Sequence, residues 1–97
     1  MNDVSFSWDE KKAAQNARKH RVSFEEAMTV FLDENAVEFF DPDHSEAEDR
    51  FLLLGMSWRM RLLAVHYAVR EYGRRIRIIS ARKTTRNEAK AYPRMTS

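Results

Sequence analysis

The chain has 97 residues, of which 43% are apolar and 33% charged, a balance that fits one compact domain over residues 1–97 and excludes a disordered chain. It contains no cysteine, which excludes disulfides, thiolate metal sites and cysteine nucleophiles. The net charge of +2 conceals a division, because residues 1–49 carry a net −8 and residues 50–97 a net +10, with ten of the twelve cations in the second half being Arg.

That asymmetry points to a polyanionic partner for the second half, since Arg suits planar, bidentate phosphate recognition. Mutual neutralisation of the two halves across the fold is the alternative. The opening residues Asp3, Trp8, Asp9 and Glu10 offer neither the basic start nor the apolar stretch of a secretory signal, and no apolar run approaches the roughly 20 residues of a membrane span. A cytoplasmic protein without membrane contact is expected.

In chain order, Asp9 to His20 reads as a helix: it lacks Gly and Pro, starts with an acid near the positive end of its dipole and ends on Lys19 and His20. Ser23 and Glu26 form an S-x-x-E capping box, and Phe24, Ala27 and Phe31 follow at helical spacing, which predicts a second helix over 23–32. The period then changes. Ala36 to Asp41 is a short strand rich in Val and Phe, and Asp41-Pro42-Asp43-His44-Ser45 has turn composition.

Arg50 to Ser57 and Met60 to Arg70 are two further strands, whose continuous apolar runs require a well-covered face. Glu71-Tyr72-Gly73-Arg74 makes the next hairpin, with Gly73 suited to positive φ, and Arg75 to Ser80 is the fourth strand. Strict alternation there sets Ile76, Ile78 and Ser80 on one face and Arg75, Arg77, Ile79 and Ala81 on the other. Thr85 and Glu88 cap a last helix that frays by Pro93. The expected fold is α+β, ordered ααββββα: two N-terminal helices, a four-stranded antiparallel sheet and a C-terminal helix.

Three separated segments resemble the BrnT toxin family in the right order. Phe6, Trp8, Asp9, Lys12, Asn16, Lys19, His20, Val22, Phe24 and Ala27 match its opening signature. Asp41-Pro42-Asp43-His44-Ser45-Glu46 with Glu48, Arg50 and Gly55 match its centre, and Arg77-Ile78-Ile79-Ser80-Ala81-Arg82 its closing segment. The resemblance spans roughly residues 6 to 92 and implies a RelE-like fold, a metal-independent endoribonuclease, and neutralisation by a DNA-binding ribbon-helix-helix antitoxin of the BrnA type. DNA is then met only through that antitoxin. One departure is Arg21, where the family places Gly, so the turn after the first helix should be strained or altered.

Cleaving RNA without a metal requires a 2′-hydroxyl aligned on its phosphate, a base, charge stabilisation and an acid for the leaving oxygen. Arg77 and Arg82 are the candidates for charge stabilisation; a salt bridge from Arg77 to Glu46 or Glu48 is the structural alternative. His66, within an apolar run, is either a proton carrier or a satisfied core residue, and Glu48 and His44 beside the exposed turn are further acid-base candidates. His20 reads as a helix-end residue. Candidate RNA-contacting residues are Lys12, Arg50, Trp58, Arg61, Lys83 and Arg86, with Trp58 placed in a turn where it can stack on a base or dock a partner.

Asp41, Asp43, Glu46, Glu48 and Asp49 fail as a calcium loop because Glu46 stands where such a loop needs Gly, so no metal and no cofactor are expected. Trp8, Phe24, Phe31, Phe39, Phe40 and Phe51 read as core. The competing function is a non-catalytic nucleic-acid-binding module that uses the same Arg-rich surface, although neither helix-turn-helix nor zinc-finger spacing is present.

Overall fold

The structure is a computed structural model and describes residues 4–44 and 48–93. The described elements are β1 (Ser5–Ser7), α1 (Glu10–His20), α2 (Phe24–Thr29), β2 (Val37–Phe40), β3 (Asp49–Met56), β4 (Leu62–Arg70), β5 (Arg75–Lys83) and α3 (Arg86–Ala89). Short 3-10 turns lie at Val30–Leu32, Pro42–His44 and Glu71–Gly73. The motif residues Ser45 and Glu46, and Asp3, lie outside the described residues.

Local chemistry accounts for the helix starts. The Asp9 carboxylate accepts from the Lys11 and Lys12 backbone N–H groups at 2.8 and 3.2 Å, filling two of the donors that a helix N-terminus leaves open. Ser23 Oγ accepts from the Glu26 N–H, but the Glu26 carboxylate turns away to Arg61 and Ser57, so only half of that capping box forms. At Thr85 and Glu88 both halves are present. Arg21 ends α1 in the left-handed region at φ 59°, a conformation that an L side chain adopts at some steric expense.

The expected ααββββα layout with a four-stranded antiparallel sheet is corrected. The sheet has five strands and is mixed, in the order β1-β5-β4-β3-β2. Ser5–Ser7 pairs parallel with β5, placing Ser5 opposite Arg75 and Ser7 opposite Arg77, while the remaining neighbours are antiparallel. β5 also runs on to Lys83, three residues past the expected end at Ser80.

One face of the sheet carries Leu53, Val65, Tyr67 and Ile78 and packs with Val22, Phe24, Ala27 and Val30 from the helical layer. Asn16, 6% exposed, fastens α1 to this structure: its amide donates to the carbonyls of Val22 and Ala81 at 2.8 Å each and accepts from the Ala81 N–H at 3.1 Å. β1 pairs with β5 only as far as Arg77, so beyond it a side chain takes the place of a neighbouring strand. Phe39 and Phe40, expected in the core, are about half exposed because β2 is an edge strand with a neighbour on one side only.

Candidate active site

The second face of the sheet carries the candidate residues Arg77, Arg82 and His66, and a bulge brings them together. Tyr67 pairs with Ile78 and His66 with Ser80, so Ile79 has no partner in β4. An extra residue of this kind reverses the alternation beyond it. Ala81 therefore joins Ile76 and Ile78 on the core face, and Ser80 and Arg82 join Arg77 on the other, which corrects the strict alternation expected for this strand. Across the sheet, Arg77 faces Ala68, Ser80 faces His66 and Arg82 faces Ala64. His66 thus lies between the two arginines on a floor kept low by its alanine neighbours.

Each arginine is anchored by an acid. Glu48, whose side chain is 9% exposed, accepts from Arg77 Nη2 and from Arg70 Nε at 2.6 Å, and Arg50 Nη2 stands 3.7 Å away. Burial alone would raise the Glu48 carboxyl, but the hydrogen bonds and charges of Arg70 and Arg77 outweigh it and hold it below the usual range. Glu48 is thus an ionised brace at neutral pH. Arg77 keeps its buried Nε without a hydrogen-bond partner.

Arg82 is gripped by Glu88 through two parallel bonds of 2.8 and 2.9 Å. That contact, with burial opposing and the Thr85 N–H assisting, pulls the Glu88 carboxyl down to about 2. α3 therefore sets the Arg82 side chain, whose Nη1 also donates to the Lys83 carbonyl at 3.3 Å while Nη2 retains a further N–H. His66 is half-buried; burial first, and the charge of Arg82 second, lower its pKa, with Asp41 and Glu88 partly opposing. A neutral imidazole at neutral pH follows.

His66, Ser80 and Ile79 line a cleft of about 190 Å³ together with Asp41, His44, Arg50, Phe51 and Tyr67. A second cleft, of about 280 Å³, is lined by Lys12, Gln15, Asn16, Lys19 and His20 of α1 and again by Ile79 and Ser80. The bulge is their common wall. Lys12 is thereby brought beside β5 from the other end of the sequence, with Lys19 and His20, whose side chains recur on the same helix face at i, i+7 and i+8.

The other candidates are placed differently. Lys83 and Arg86 are exposed at the start of the C-terminal segment. Trp58 is 71% exposed in the turn between β3 and β4, where its backbone N–H donates to Thr29 Oγ1 at 3.0 Å. Arg61 is not brought to either cleft: it pairs with the buried Glu26 and donates to the Arg21 carbonyl at 3.0 Å, bracing the end of α1 against the β3–β4 turn. Among the described residues there is no cluster of three or more His, Asp or Glu suited to a metal. No described helix is long and apolar enough to cross a membrane.

Sequence reasoning missed Lys19, Asn16 and Ser80 as wall residues. A polar Asn in mid-helix was the one signal available for them. With a bulged sheet, paired arginines and an imidazole between them established, the comparisons with known proteins decide the class. A family model described as the ribonuclease toxin, BrnT, of type II toxin-antitoxin systems matches residues 8–88. The chain belongs to the BrnT family. It is accordingly a ribonuclease toxin of a type II toxin-antitoxin system, a class that has RNA as its target and an antitoxin as its partner. The crystal structure of the Brucella abortus ribonuclease toxin, BrnT, superposes with a TM-score of 0.64 over 86% of this chain and 99% of that one, at 21% identity. This likeness extends the BrnT assignment to the fold. A search of curated proteins found no significant match.

Proposed function

We propose that one domain over residues 1–97 cleaves RNA without a metal on the second face of its sheet, and that a DNA-binding ribbon-helix-helix antitoxin neutralises it by covering that face. The observation that carries this reading is the bulge at Ile79, which sets Arg77 and Arg82 on either side of His66. Two guanidiniums flanking a phosphate balance the charge that builds on it as the 2′-oxygen attacks. His66, kept neutral by burial and by Arg82, takes the proton from that 2′-hydroxyl. Glu48 holds Arg77 in place, because an ionised carboxylate shared among arginines is a poor proton acceptor.

Lys12 and Lys19 across the shared wall, with Lys83, Arg86 and Arg50, attract the RNA backbone, an interaction that salt weakens. Trp58 and Arg61 stand apart from the clefts. The antitoxin contact combines the charge of this face, which speeds encounter, with apolar burial, which sets residence time.

Purified protein is expected to cut single-stranded RNA in excess EDTA and to leave a 2′,3′-cyclic phosphate. Arg77→Ala and Arg82→Ala should each lower the rate about a hundredfold or more, in line with the loss of one charge-stabilising donor. Arg77→Ala should keep its circular dichroism, because Arg70 remains on Glu48. Cleavage lost in EDTA, or undiminished in both variants, would refute this mechanism, whereas RNA binding with no cleavage under any condition would favour the non-catalytic binding module. Co-expression with the adjacent gene product should give a complex that survives purification at moderate salt.

A further inference from the structure

The mechanism above assigns a base but leaves the leaving oxygen without a proton. A second imidazole faces the same cleft. His44, in the Pro42–His44 turn, is an exposed side chain whose ring Nδ1 lies 2.9 Å from Asp41 Oδ2. Asp41, at 24% side-chain exposure, is itself a cleft residue. A carboxylate accepting from Nδ1–H fixes the ring's orientation and leaves Nε2, on the far side of the ring, for another partner.

We propose that His44, positioned by Asp41, is the catalytic acid that protonates the leaving 5′-oxygen, while His66 acts as the base. This inference rests on the proposed ribonuclease mechanism and adds a residue to it. Three observations support it. Asp41 and His44 line one cleft with His66, Arg50 and Ser80, so two imidazoles address one volume. They stand on different parts of the fold, His66 on the sheet floor and His44 on the rim, as a base and an acid must if they act on opposite ends of an in-line displacement. The charged groups around the pair are Asp41 on the rim side and Arg50, Arg82 and Glu88 on the floor side; of the two rings, His44 is the one with a carboxylate hydrogen-bonded to it.

The step balances without a further reactant. His66 removes the 2′-hydroxyl proton, the 2′-oxygen forms a bond to phosphorus, the bond from phosphorus to the 5′-oxygen breaks, and the proton on His44 Nε2 goes to that oxygen. The products are a 2′,3′-cyclic phosphate and a 5′-hydroxyl.

The test uses the full chain, in EDTA, on an oligoribonucleotide spanning its mapped cut site, and on the same oligonucleotide with sulfur in place of the scissile 5′-oxygen. A thiolate leaves without needing a proton. His44→Ala and His44→Gln should slow cleavage of the oxygen substrate about a hundredfold or more, the usual contribution of a positioned acid, and slow the sulfur substrate only a few-fold. Asp41→Asn should lower kcat with little change in KM, because the ring of His44 loses the carboxylate that orients it. His66→Ala should slow both substrates alike.

Wild-type rates in both His44 variants, or equal loss on oxygen and sulfur, would overturn the assignment of His44. Rapid cleavage of both substrates by His66→Ala would instead overturn the base while leaving His44 in place. A wild-type protein that needs a metal for cleavage would refute the underlying mechanism, and this proposal with it.

Discussion

Asn16→Ala should destabilise the protein by about 3 kcal/mol and disorganise the bulge beside Arg82. The Asn16 amide uses both of its N–H groups and its oxygen, on the Val22 carbonyl, the Ala81 carbonyl and the Ala81 N–H, in a setting where the residue is 6% exposed. Truncation leaves three backbone groups without partners. A buried unsatisfied group costs on the order of 1–3 kcal/mol, less for carbonyls that relax, which gives about 3 kcal/mol in sum. In a chain of this size that lowers Tm by roughly 10–20 °C.

Asn16→Asp separates hydrogen bonding from packing. It preserves the shape but turns an oxygen toward two carbonyl oxygens, so it should destabilise at least as much as Asn16→Ala. Urea unfolding at pH 7 measures both. Changes within about 0.5 kcal/mol of wild type for both variants would refute the claim that this amide holds the edge of β5. Since Arg82 follows Ala81 directly, cleavage by the surviving folded fraction should also fall.

Arg21→Gly should raise stability by up to about 1 kcal/mol, because φ 59° suits glycine and the hydrogen bonds Arg21 makes, from its N–H to the Ala17 carbonyl and to its own carbonyl from Arg61, belong to the backbone; thermal melts decide it. Gly55→Ala should cost about 1–3 kcal/mol through overpacking, since a Cβ there would lie 2.7 Å from Val30 Cγ1 and 3.0 Å from Ala36 Cβ; denaturant midpoints test this. Stability should fall as pH drops from about 4.5 toward 2. Glu88, held down to about 2, and Glu26 and Glu48, also lowered, contribute stability that is complete above their unfolded pKa and lost as they protonate, with at most about 3 kcal/mol from Glu88. Urea midpoints against pH should show this decline, and Glu88→Gln should flatten part of it.

Information carried by near neighbours was legible in the sequence. Asp9, Ser23 and Thr85 mark helix starts because a capping side chain reaches only two or three residues ahead, and the turn compositions mark the hairpins joining β3, β4 and β5. The charge division and the three separated signature segments pointed to the family and to RNA. Contacts between distant segments decided the rest. Ser5–Ser7 is too short to show a period and becomes a strand only because the edge of β5, some 70 residues later, offers it backbone partners. The bulge at Ile79 is likewise invisible in β5 alone, where alternation places Arg77 and Arg82 on opposite faces. It exists because β4 pairs His66 with Ser80 and Tyr67 with Ile78, burying Ala81 where Asn16 can bond it, and that pairing turns Arg82 to the side of His66 and Arg77.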